Sequence, residues 1–181
     1  MSPAWRNRSI GLVLAAAIFG LDRWIKALAQ GPWRLREVGV IDLLPFFDLR
    51  WTENYGVSLG MFEARSIEMR WGLVAVTGTI AIVVFAWLLR ERKLADIAAL
   101  ALILGGALGN IRDRYLYGYV IDYADFHIGT FRPFLIFNVA DAAITIGVLI
   151  ILARALFMRE KPAAAQGEHV ADPTAENSTN A

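Results

Sequence analysis

The strongest constraint on this chain is an uncharged run of 19 residues from Trp71 to Leu89. An α-helix rises by ~1.5 Å per residue, so this run spans most of a ~30 Å hydrocarbon core. The chain is 57% hydrophobic and only 19% charged, which departs far from the average soluble protein. We therefore predict a transmembrane helix at residues 71–89 and membrane burial for much of the chain.

Three further segments are predicted to span the membrane: residues 10–30, 94–111 and 134–157. The first is interrupted by Asp22 and Lys26, and its start has the pattern of a secretory signal peptide, because two arginines precede an apolar stretch. Its apolar character resumes at Trp24 and Ile25, which gives a span of about 21 residues instead of the ~7–15 of a signal peptide. The expected fold is an all-α membrane protein with four transmembrane helices.

Basic residues at the ends of these segments predict the orientation in the membrane. They lie before the first helix, between the second and third, and after the fourth: Arg6, Arg8, Arg90, Arg92, Lys93, Arg154, Arg159 and Lys161. Short basic segments stay in the cytoplasm, so both termini are expected there. Residues 31–70 and 112–133 then form two outer loops.

The first outer loop has the pattern of a small sheet. Between residues 38 and 62, β-branched and aromatic runs are broken by proline, asparagine and glycine. We expect a few short strands that lie on the outer surface of the membrane. Residues 162–181 are rich in Ala, Asn, Ser and Thr without periodicity, which is typical of a disordered tail. The folded domain is therefore expected to cover residues 1–161.

Several classes of functional site are disfavoured by the residue types. The chain has no cysteine, so disulfides, thiol catalysis and cysteine-ligated zinc are excluded. His127 is the only histidine near the outer side, and no His-Glu-x-x-His motif offers a zinc site. Ser58 and Ser66 lack a Gly-x-Ser-x-Gly motif and a nearby base. Basic residues are scattered, so nucleic-acid binding is not expected, and neither is any cofactor.

Asp141 is the acid that the sequence places most firmly. A charge within the bilayer costs roughly 2.5 to 3.5 kcal/mol, so such residues usually face a bundle interior and often mark function. If the fourth helix starts at Phe134, Asp141 lies about 10 Å inside it, with Asn138 on the same face. From the residues alone, a structural and a functional role for Asp141 stay equally open.

Polar groups of two other helices are expected in the same outer layer. Asn110 ends the third helix after Gly105-Gly-Ala-Leu-Gly109, whose small residues permit close helix approach. Asp22 and Lys26 stand one turn apart near the outer end of the first helix, and we interpret them as a structural ion pair.

Paired carboxyl groups are the hydrolytic chemistry that these residues allow. Two carboxyl groups a few ångströms apart do not both ionise easily, so they share one proton. The ionised member takes a proton from water, and the protonated member donates to the scissile carbonyl. Asp141 fits one position, and the physical argument leaves Asp113, Asp122 and Asp125 open for the other.

Five local sequences resemble the conserved boxes of lipoprotein signal peptidase, the bacterial signal peptidase II. They are Leu21-Asp22 through Lys26, Glu53-Asn54-Tyr55-Gly56, Gly105-Gly-Ala-Leu-Gly-Asn110-Ile-Arg-Asp113-Arg114, Val120-Ile-Asp122-Tyr and Phe137-Asn138-Val-Ala-Asp141-Ala-Ala-Ile144. They occur in the family's order on a four-helix topology, and the resemblance runs from about Ile10 to Met158.

The resemblance implies a role for individual residues. It implies that Asp122 and Asp141 are the catalytic pair. Residues implied to bind substrate or to order the site are Asn54, Gly56, Asn110, Arg114 and Asn138, and those implied to give structural support are Asp22, Lys26 and Asp113. The chain departs from the usual family residues at Ser58, Leu59, Tyr123 and Ala142, and these departures leave both acids in place.

The resemblance also implies the activity, that of a membrane-embedded aspartyl endopeptidase. Such an enzyme removes signal peptides from diacylglyceryl-modified prolipoproteins and cleaves just before the lipidated cysteine. Its expected setting is the bacterial cytoplasmic (inner) membrane, as a monomer in contact with membrane lipid, with the active site near the outer face. Two alternatives are a structural membrane subunit and a small transporter or proton-coupled carrier that uses intramembrane Asp residues. A carrier would show inverted repeats and broken helices, which the sequence lacks.

Overall fold

The computed structural model describes residues 2–56 and 67–157, and the structural statements below concern these residues. Its elements in chain order are α1 (Pro3–Gln30), α2 (Leu35–Val38), β1 (Val40–Leu44), β2 (Phe47–Asn54), α3 (Ile67–Arg90), α4 (Leu94–Tyr117), β3 (Val120–Phe126) and α5 (Val139–Phe157). The family departures at Ser58 and Leu59 and the predicted tail at 162–181 lie outside the described residues.

Three of the described helices, α3, α4 and α5, are long and apolar enough to cross a membrane. They contain the predicted spans at residues 71–89 and 94–111 and most of the span predicted at 134–157. α1 is a helix of 28 residues that contains the predicted first span, but it is not among the three. The fourth transmembrane span therefore stays a prediction.

α4 is the central helix of the bundle, because it packs against α1, α3 and α5. Its buried side chains Ile97, Leu100 and Leu104 join Leu88 of α3 and Ala15 of α1 in one apolar core. Lipid tails are as apolar as these side chains, so in a membrane such a core is stabilised mainly by close van der Waals packing.

Small residues let the backbone of α4 approach its neighbours. A Cβ atom at Gly105 would lie 2.5 Å from the carbonyl oxygen of Ala15 in α1. A Cβ atom at Gly106 would lie 2.4 Å from the carbonyl oxygen of Ala140 in α5. The predicted close approach at this segment is confirmed, and it brings the polar ends of three helices into one layer.

The predicted small sheet is present, with three antiparallel strands in the order β1-β2-β3. β1 and β2 belong to the first predicted outer loop, whereas β3 belongs to the second, where the sequence pattern predicts no strand. β3 is buried from Val120 to Asp125, because it pairs with β2 and also contacts α4. Thr52 of β2 stands opposite Asp122 of β3. The strand therefore carries Asp122 into the interior.

The predicted start of the fourth span at residue 134 is wrong. The first helical residue is Val139, because Phe137 forms an isolated bridge with Ala124 of β3. The Phe137 N–H donates to the Ala124 carbonyl over 3.1 Å, and the Ala124 N–H donates to the Phe137 carbonyl over 2.8 Å. Asp141 therefore lies in the first turn of α5, and the expected depth of about 10 Å inside the helix is wrong as well.

α4 continues past its predicted end at residue 111 as far as Tyr117. It ends where Gly118 adopts a φ of 87° and its N–H donates to the Arg114 carbonyl. Glycine populates this left-handed conformation without the strain that a Cβ atom causes, so it is a common helix terminator. Asp113 and Arg114 lie on the helix, and their expected place in an outer loop is wrong.

Candidate active site

The N-terminus of α5 is held by side chains from two other elements and from the residue that precedes the helix. The first N–H groups of a helix have no partner within it and must find one elsewhere. The Val139 N–H donates to the Tyr123 hydroxyl over 3.3 Å, and the Ala140 N–H donates to Oδ1 of Asp22 over 3.2 Å. The Asp141 N–H donates to Oδ1 of Asn138 over 2.9 Å. The start of α5 is thereby tied to β3 and α1.

Asn138 and Asp141 cap each other. In return for the bond that it accepts, Asn138 donates its backbone N–H to Oδ2 of Asp141 over 3.3 Å. This is the arrangement of a capping box, in which the first and fourth residues satisfy each other's backbone N–H groups. The other oxygen, Oδ1 of Asp141, accepts from Nδ2 of Asn110 over 2.7 Å. Both carboxylate oxygens of Asp141 are thus fixed.

Asp122 is almost fully buried, with 1% of its surface exposed. Its Oδ1 accepts from Nδ2 of Asn138 over 2.6 Å, and its Oδ2 accepts from Nδ2 of Asn54 over 2.9 Å. Asn138 therefore contacts both acids, Asp122 through its side-chain amide and Asp141 through its backbone. The structure brings together five of the predicted site residues: Asp122, Asp141, Asn54, Asn110 and Asn138.

Burial and, next, the nearby negative charge of Asp141 raise the pKa of Asp122 to about 7. The hydrogen bonds from Asn54 and Asn138 oppose this shift, since they favour the ionised carboxylate, and so does the positive charge of Lys26. An acid with this pKa carries its proton through most of the range below neutrality. The environment of Asp122 is that of a proton donor.

The other two candidate partners of Asp141 have different neighbours. Asp113 is fully buried and pairs with Arg23 over 2.7 Å and with Lys26 over 2.8 Å. Asp125 accepts from Arg50 over 2.9 Å and from Arg132 over 3.1 Å. Burial opposes the ionisation of Asp125, but these two arginines hold its pKa below the ordinary value.

The residues predicted to give structural support, Asp22, Lys26 and Asp113, form a buried network of ion pairs next to the site. Lys26 and Asp22 form the expected ion pair over 2.9 Å, with both side chains fully buried. Asp113 also accepts from the backbone N–H of Ile121 over 3.4 Å, which fixes the start of β3 relative to α4. The support residues therefore connect α1, α4 and β3.

Gly56 and Arg114 complete the predicted set. The Gly56 N–H donates to Oδ1 of Asn54 over 2.8 Å, and its φ of 91° suits glycine. A Cβ atom there would lie 2.6 Å from Cδ1 of Leu73 and 3.8 Å from Nε of Arg114. The Nε of Arg114 is buried and has no hydrogen-bond partner among the described residues. The guanidinium group of Arg114 interacts electrostatically with both Asp122 and Asp141. Its Nε is therefore a donor available at the site.

Sequence reasoning missed two contacts at this site. It noted Tyr123 only as a departure from the family, although the Tyr123 hydroxyl supports Val139. It also missed that Asp22 receives the Ala140 N–H. An asparagine followed three residues later by an acid, directly before an apolar run, is a capping-box signal that could have placed the start of α5. In the described part of the chain, no group of three or more His, Asp or Glu residues could hold a metal ion.

Comparisons with known proteins agree on one family. The sequence model of signal peptidase (SPase) II matches residues 14–157. A lipoprotein signal peptidase of Sphingopyxis alaskensis is 54% identical over 162 residues, which cover 90% of this chain and 94% of the relative. One of Rhizorhabdus wittichii is 54% identical over 154 residues, 85% of this chain and 90% of the relative.

The fold is also similar to solved structures. A bacterial membrane enzyme determined by the in meso method at 1.9 Å resolution has a TM-score of 0.71 and 27% identity, with 82% of this chain and 94% of that chain covered. A second such enzyme, at 2.3 Å, has a TM-score of 0.69 and 26% identity, with 86% and 95% covered. On the strength of the family match and of these close relatives, the chain belongs to the signal peptidase II family.

Proposed function

We propose that this chain is an aspartyl endopeptidase that removes the signal peptide of diacylglyceryl-modified prolipoproteins, cleaving just before the lipidated cysteine. The observation that carries this proposal is that Asn138 holds a buried carboxyl group, Asp122, and a half-buried one, Asp141, in one site, with the pKa of Asp122 raised to about 7 by burial and by Asp141. Family membership and the name of the close relatives support the substrate class and favour a peptidase over a proton-coupled carrier.

The catalytic cycle assigns a different role to each acid. The ionised Asp141 takes a proton from water as the water oxygen bonds to the scissile carbonyl carbon, and the protonated Asp122 gives its proton to the carbonyl oxygen. The tetrahedral intermediate then collapses. Asp141 gives its proton to the leaving nitrogen as the C–N bond breaks, and the hydroxyl proton returns to Asp122, which restores the starting state.

The contacts of the other predicted residues separate two roles. Asn54, Asn110 and Asn138 donate to the acids and so order the pair. Arg114 has a buried donor without a partner in the described region, so we assign it to the substrate, as a donor to a backbone or ester carbonyl. Gly56 keeps the space beside Arg114 open, because any larger residue would collide with Leu73.

The outer sheet exposes apolar side chains in the way expected of a sheet that lies on lipid. They are found on the β1–β2 hairpin, after β3 and before α5: Leu43, Leu44, Phe46, Ile128, Phe131, Phe134 and Leu135. Phe134 and Leu135 come shortly before α5, which is long and apolar enough to cross a membrane, so we infer that these side chains meet the same lipid as α5. A lipid-modified substrate could then reach the acids from within the bilayer.

A purified-enzyme assay tests the proposed reaction. The protein in detergent should cleave a diacylglyceryl-modified precursor and leave the unmodified precursor intact. Asp122→Asn and Asp141→Asn should each lower turnover by at least ~10³-fold, since removing one member of an essential catalytic unit removes most of the rate. Asp42→Asn makes the same chemical change at an exposed position of the sheet and should retain wild-type turnover.

The outcome can contradict the proposal in two ways. Retained turnover in Asp122→Asn or in Asp141→Asn would exclude the aspartyl mechanism. Loss of wild-type activity on treatment with a chelator, with recovery on addition of zinc, would indicate a metallopeptidase instead.

The predicted topology, with α1 as a fourth span and both termini in the cytoplasm, has a direct test. The chain has no cysteine, so single cysteines can be introduced at exposed positions such as Ser2 and Thr130. A membrane-impermeant maleimide should label Thr130→Cys in intact spheroplasts and Ser2→Cys only after permeabilisation. Labelling of both in intact spheroplasts would overturn the four-span arrangement.

A further inference from the structure

Lys26 is fully buried on α1, where its ammonium group has three acceptors. Its Nζ lies 2.9 Å from Oδ2 of Asp22, 2.8 Å from Oδ2 of Asp113 and 3.2 Å from Oδ1 of Asn110. The two carboxylate contacts are ion pairs, and the contact with Asn110 is the one that has the geometry of a hydrogen bond, in which the ammonium group donates. Lys26 and Arg23 together balance the charges of the two carboxylates, but charge balance does not account for the contact with Asn110.

The contact with Asn110 matters because a side-chain amide has two different ends. Oδ1 of Asn110 accepts from Lys26 and, over 3.3 Å, from Nδ2 of Asn138, while Nδ2 of Asn110 donates to Asp141 over 2.7 Å. If the amide turned over, its NH₂ group would face the ammonium group and its oxygen would face the carboxylate of Asp141. Both contacts would then be repulsive, because donors would meet donors and acceptors would meet acceptors.

We propose that Lys26 is a positioning residue of the catalytic pair, which holds the Asn110 amide in the one orientation that donates to Asp141. Lys26 makes no recorded hydrogen bond to either acid of the pair, so apart from the effect of its charge on Asp122 it reaches the pair through Asn110. This inference rests on the proposed aspartyl mechanism, since it concerns the geometry of Asp141. It gives Lys26 a role in turnover beyond the structural ion pair with Asp22.

The variant that isolates this role is Lys26→Met, which keeps an unbranched side chain only one atom shorter and removes the donor. It leaves Asp22 and Asp113 without the lysine, and such unpaired buried charges destabilise a fold. Arg23 still pairs with Asp113 over 2.7 Å, so Asp22 is the carboxylate that loses its cation. The double variant Lys26→Met/Asp22→Asn therefore restores the charge balance, and Oδ1 of the new asparagine can still accept from Ala140.

A double-mutant cycle tests whether Lys26 acts through Asn110. Lys26→Met and Asn110→Ala should each lower kcat by about 100-fold with little change in KM, because both misplace Asp141 in the bound complex. The combined variant should have a kcat within about threefold of Asn110→Ala alone, since residues that act through one contact are not additive. If Lys26→Met does not fold, the charge-balanced variant takes its place in the cycle.

Arg23→Met is the matched control. It removes one cation from the same network and loses a contact to the same Asp113, but Arg23 contacts Oδ1 whereas Lys26 contacts Oδ2. Its kcat should stay within about threefold of the wild type, with a lower unfolding temperature. A loss equal to that of Lys26→Met would overturn the proposal, because any disturbance of the charges would then have the same effect.

Other results of the double-mutant cycle would contradict the positioning role of Lys26. Independent effects that multiply to about 10⁴-fold in the combined variant would overturn the positioning role, as would wild-type kcat in the charge-balanced variant. These results leave the aspartyl mechanism intact as long as Asp122→Asn and Asp141→Asn are inactive. Activity in either Asp→Asn variant would instead overturn the proposed function itself.

Discussion

Nδ2 of Asn138 lies 2.6 Å from Oδ1 of Asp122, while the backbone N–H of the same residue donates to Asp141 over 3.3 Å. Nδ2 also lies 3.3 Å from the carbonyl oxygen of Ile121 and 3.3 Å from Oδ1 of Asn110. The amide is thus fixed by acceptors from β3 and α4, so it relates the strand that carries one acid to the helix that carries the other.

Asn138→Ser should separate the capping role of this residue from its donor role. Serine is a good helix N-cap, so most of the stability of α5 should be kept, whereas Asn138→Ala should lose about 1 kcal/mol of unfolding free energy. Neither side chain reaches Asp122 as a donor, so both variants should lower kcat by about 100-fold. Thermal unfolding in detergent and steady-state kinetics check the two parts. Wild-type kcat in Asn138→Ser would contradict the donor role.

The raised pKa of Asp122 predicts the basic limb of the pH profile. The acid must be protonated to donate to the carbonyl oxygen, and with a pKa of about 7 it is protonated below that pH and ionised above it. Because kcat/KM reports the free enzyme, it should fall by about tenfold per pH unit above pH 7. A profile that stays flat to pH 9 would assign the proton donor elsewhere.

In Asn54→Ala, the fall of kcat/KM on the basic side of the pH profile should begin at a higher pH than in the wild type. The Asn54 amide donates to Oδ2 of Asp122 over 2.9 Å and so favours the ionised form, which lowers the pKa of Asp122. Removing the donor lets burial act with less opposition, so the acid should keep its proton to higher pH. Asn7→Ala removes an amide that donates to the Arg92 carbonyl and should leave the limb where it is. A shift to lower pH in Asn54→Ala would contradict the assignment.

The helices could be predicted from the sequence because long apolar runs have few other ways to satisfy their backbone in a membrane. The apolar pattern alone could not place the start of α5, since Phe134 to Phe137 are as apolar as the helix that follows. What excludes them from the helix is the bridge to Ala124, a contact with a residue of a different element. The strand around Asp122 was missed for a related reason, because its burial comes from β2 and α4 and not from its own alternation.

The site itself was predictable in part. The residue types present exclude thiol mechanisms and disfavour serine and zinc mechanisms, which leaves hydrolysis by a pair of acids. Asp141 can be identified as one of them because it is a charged residue within an apolar segment. Its partner depends on which cations lie near each candidate. The arginines beside Asp125 and the cations of α1 beside Asp113 are brought there only by the tertiary fold, so local spacing does not single out Asp122.

Tyr123→Phe should lower stability without abolishing activity. The Tyr123 hydroxyl accepts the N–H of Val139 over 3.3 Å, and burial raises the pKa of this phenol, so it stays neutral. Loss of the acceptor leaves one helix N–H unpaired, which should lower the unfolding free energy by about 1 kcal/mol. Both acids stay bound to Asn138, so kcat should remain within about threefold of the wild type. Tyr115→Phe, at an exposed position of α4, should leave the unfolding temperature unchanged.

Gly106→Ala should separate α4 from α5 and disturb the alignment of the two acids. The new Cβ atom would lie 2.4 Å from the carbonyl oxygen of Ala140, directly beside Asp141, and a backbone atom does not move aside as a flexible side chain does. We expect a loss of about 1–3 kcal/mol in unfolding free energy and a lower kcat. Gly78→Ala in α3 adds the same methyl group where nothing lies within 4 Å, and it should leave both quantities unchanged. Equal unfolding temperatures for the two variants would show that close approach at Gly106 is not needed.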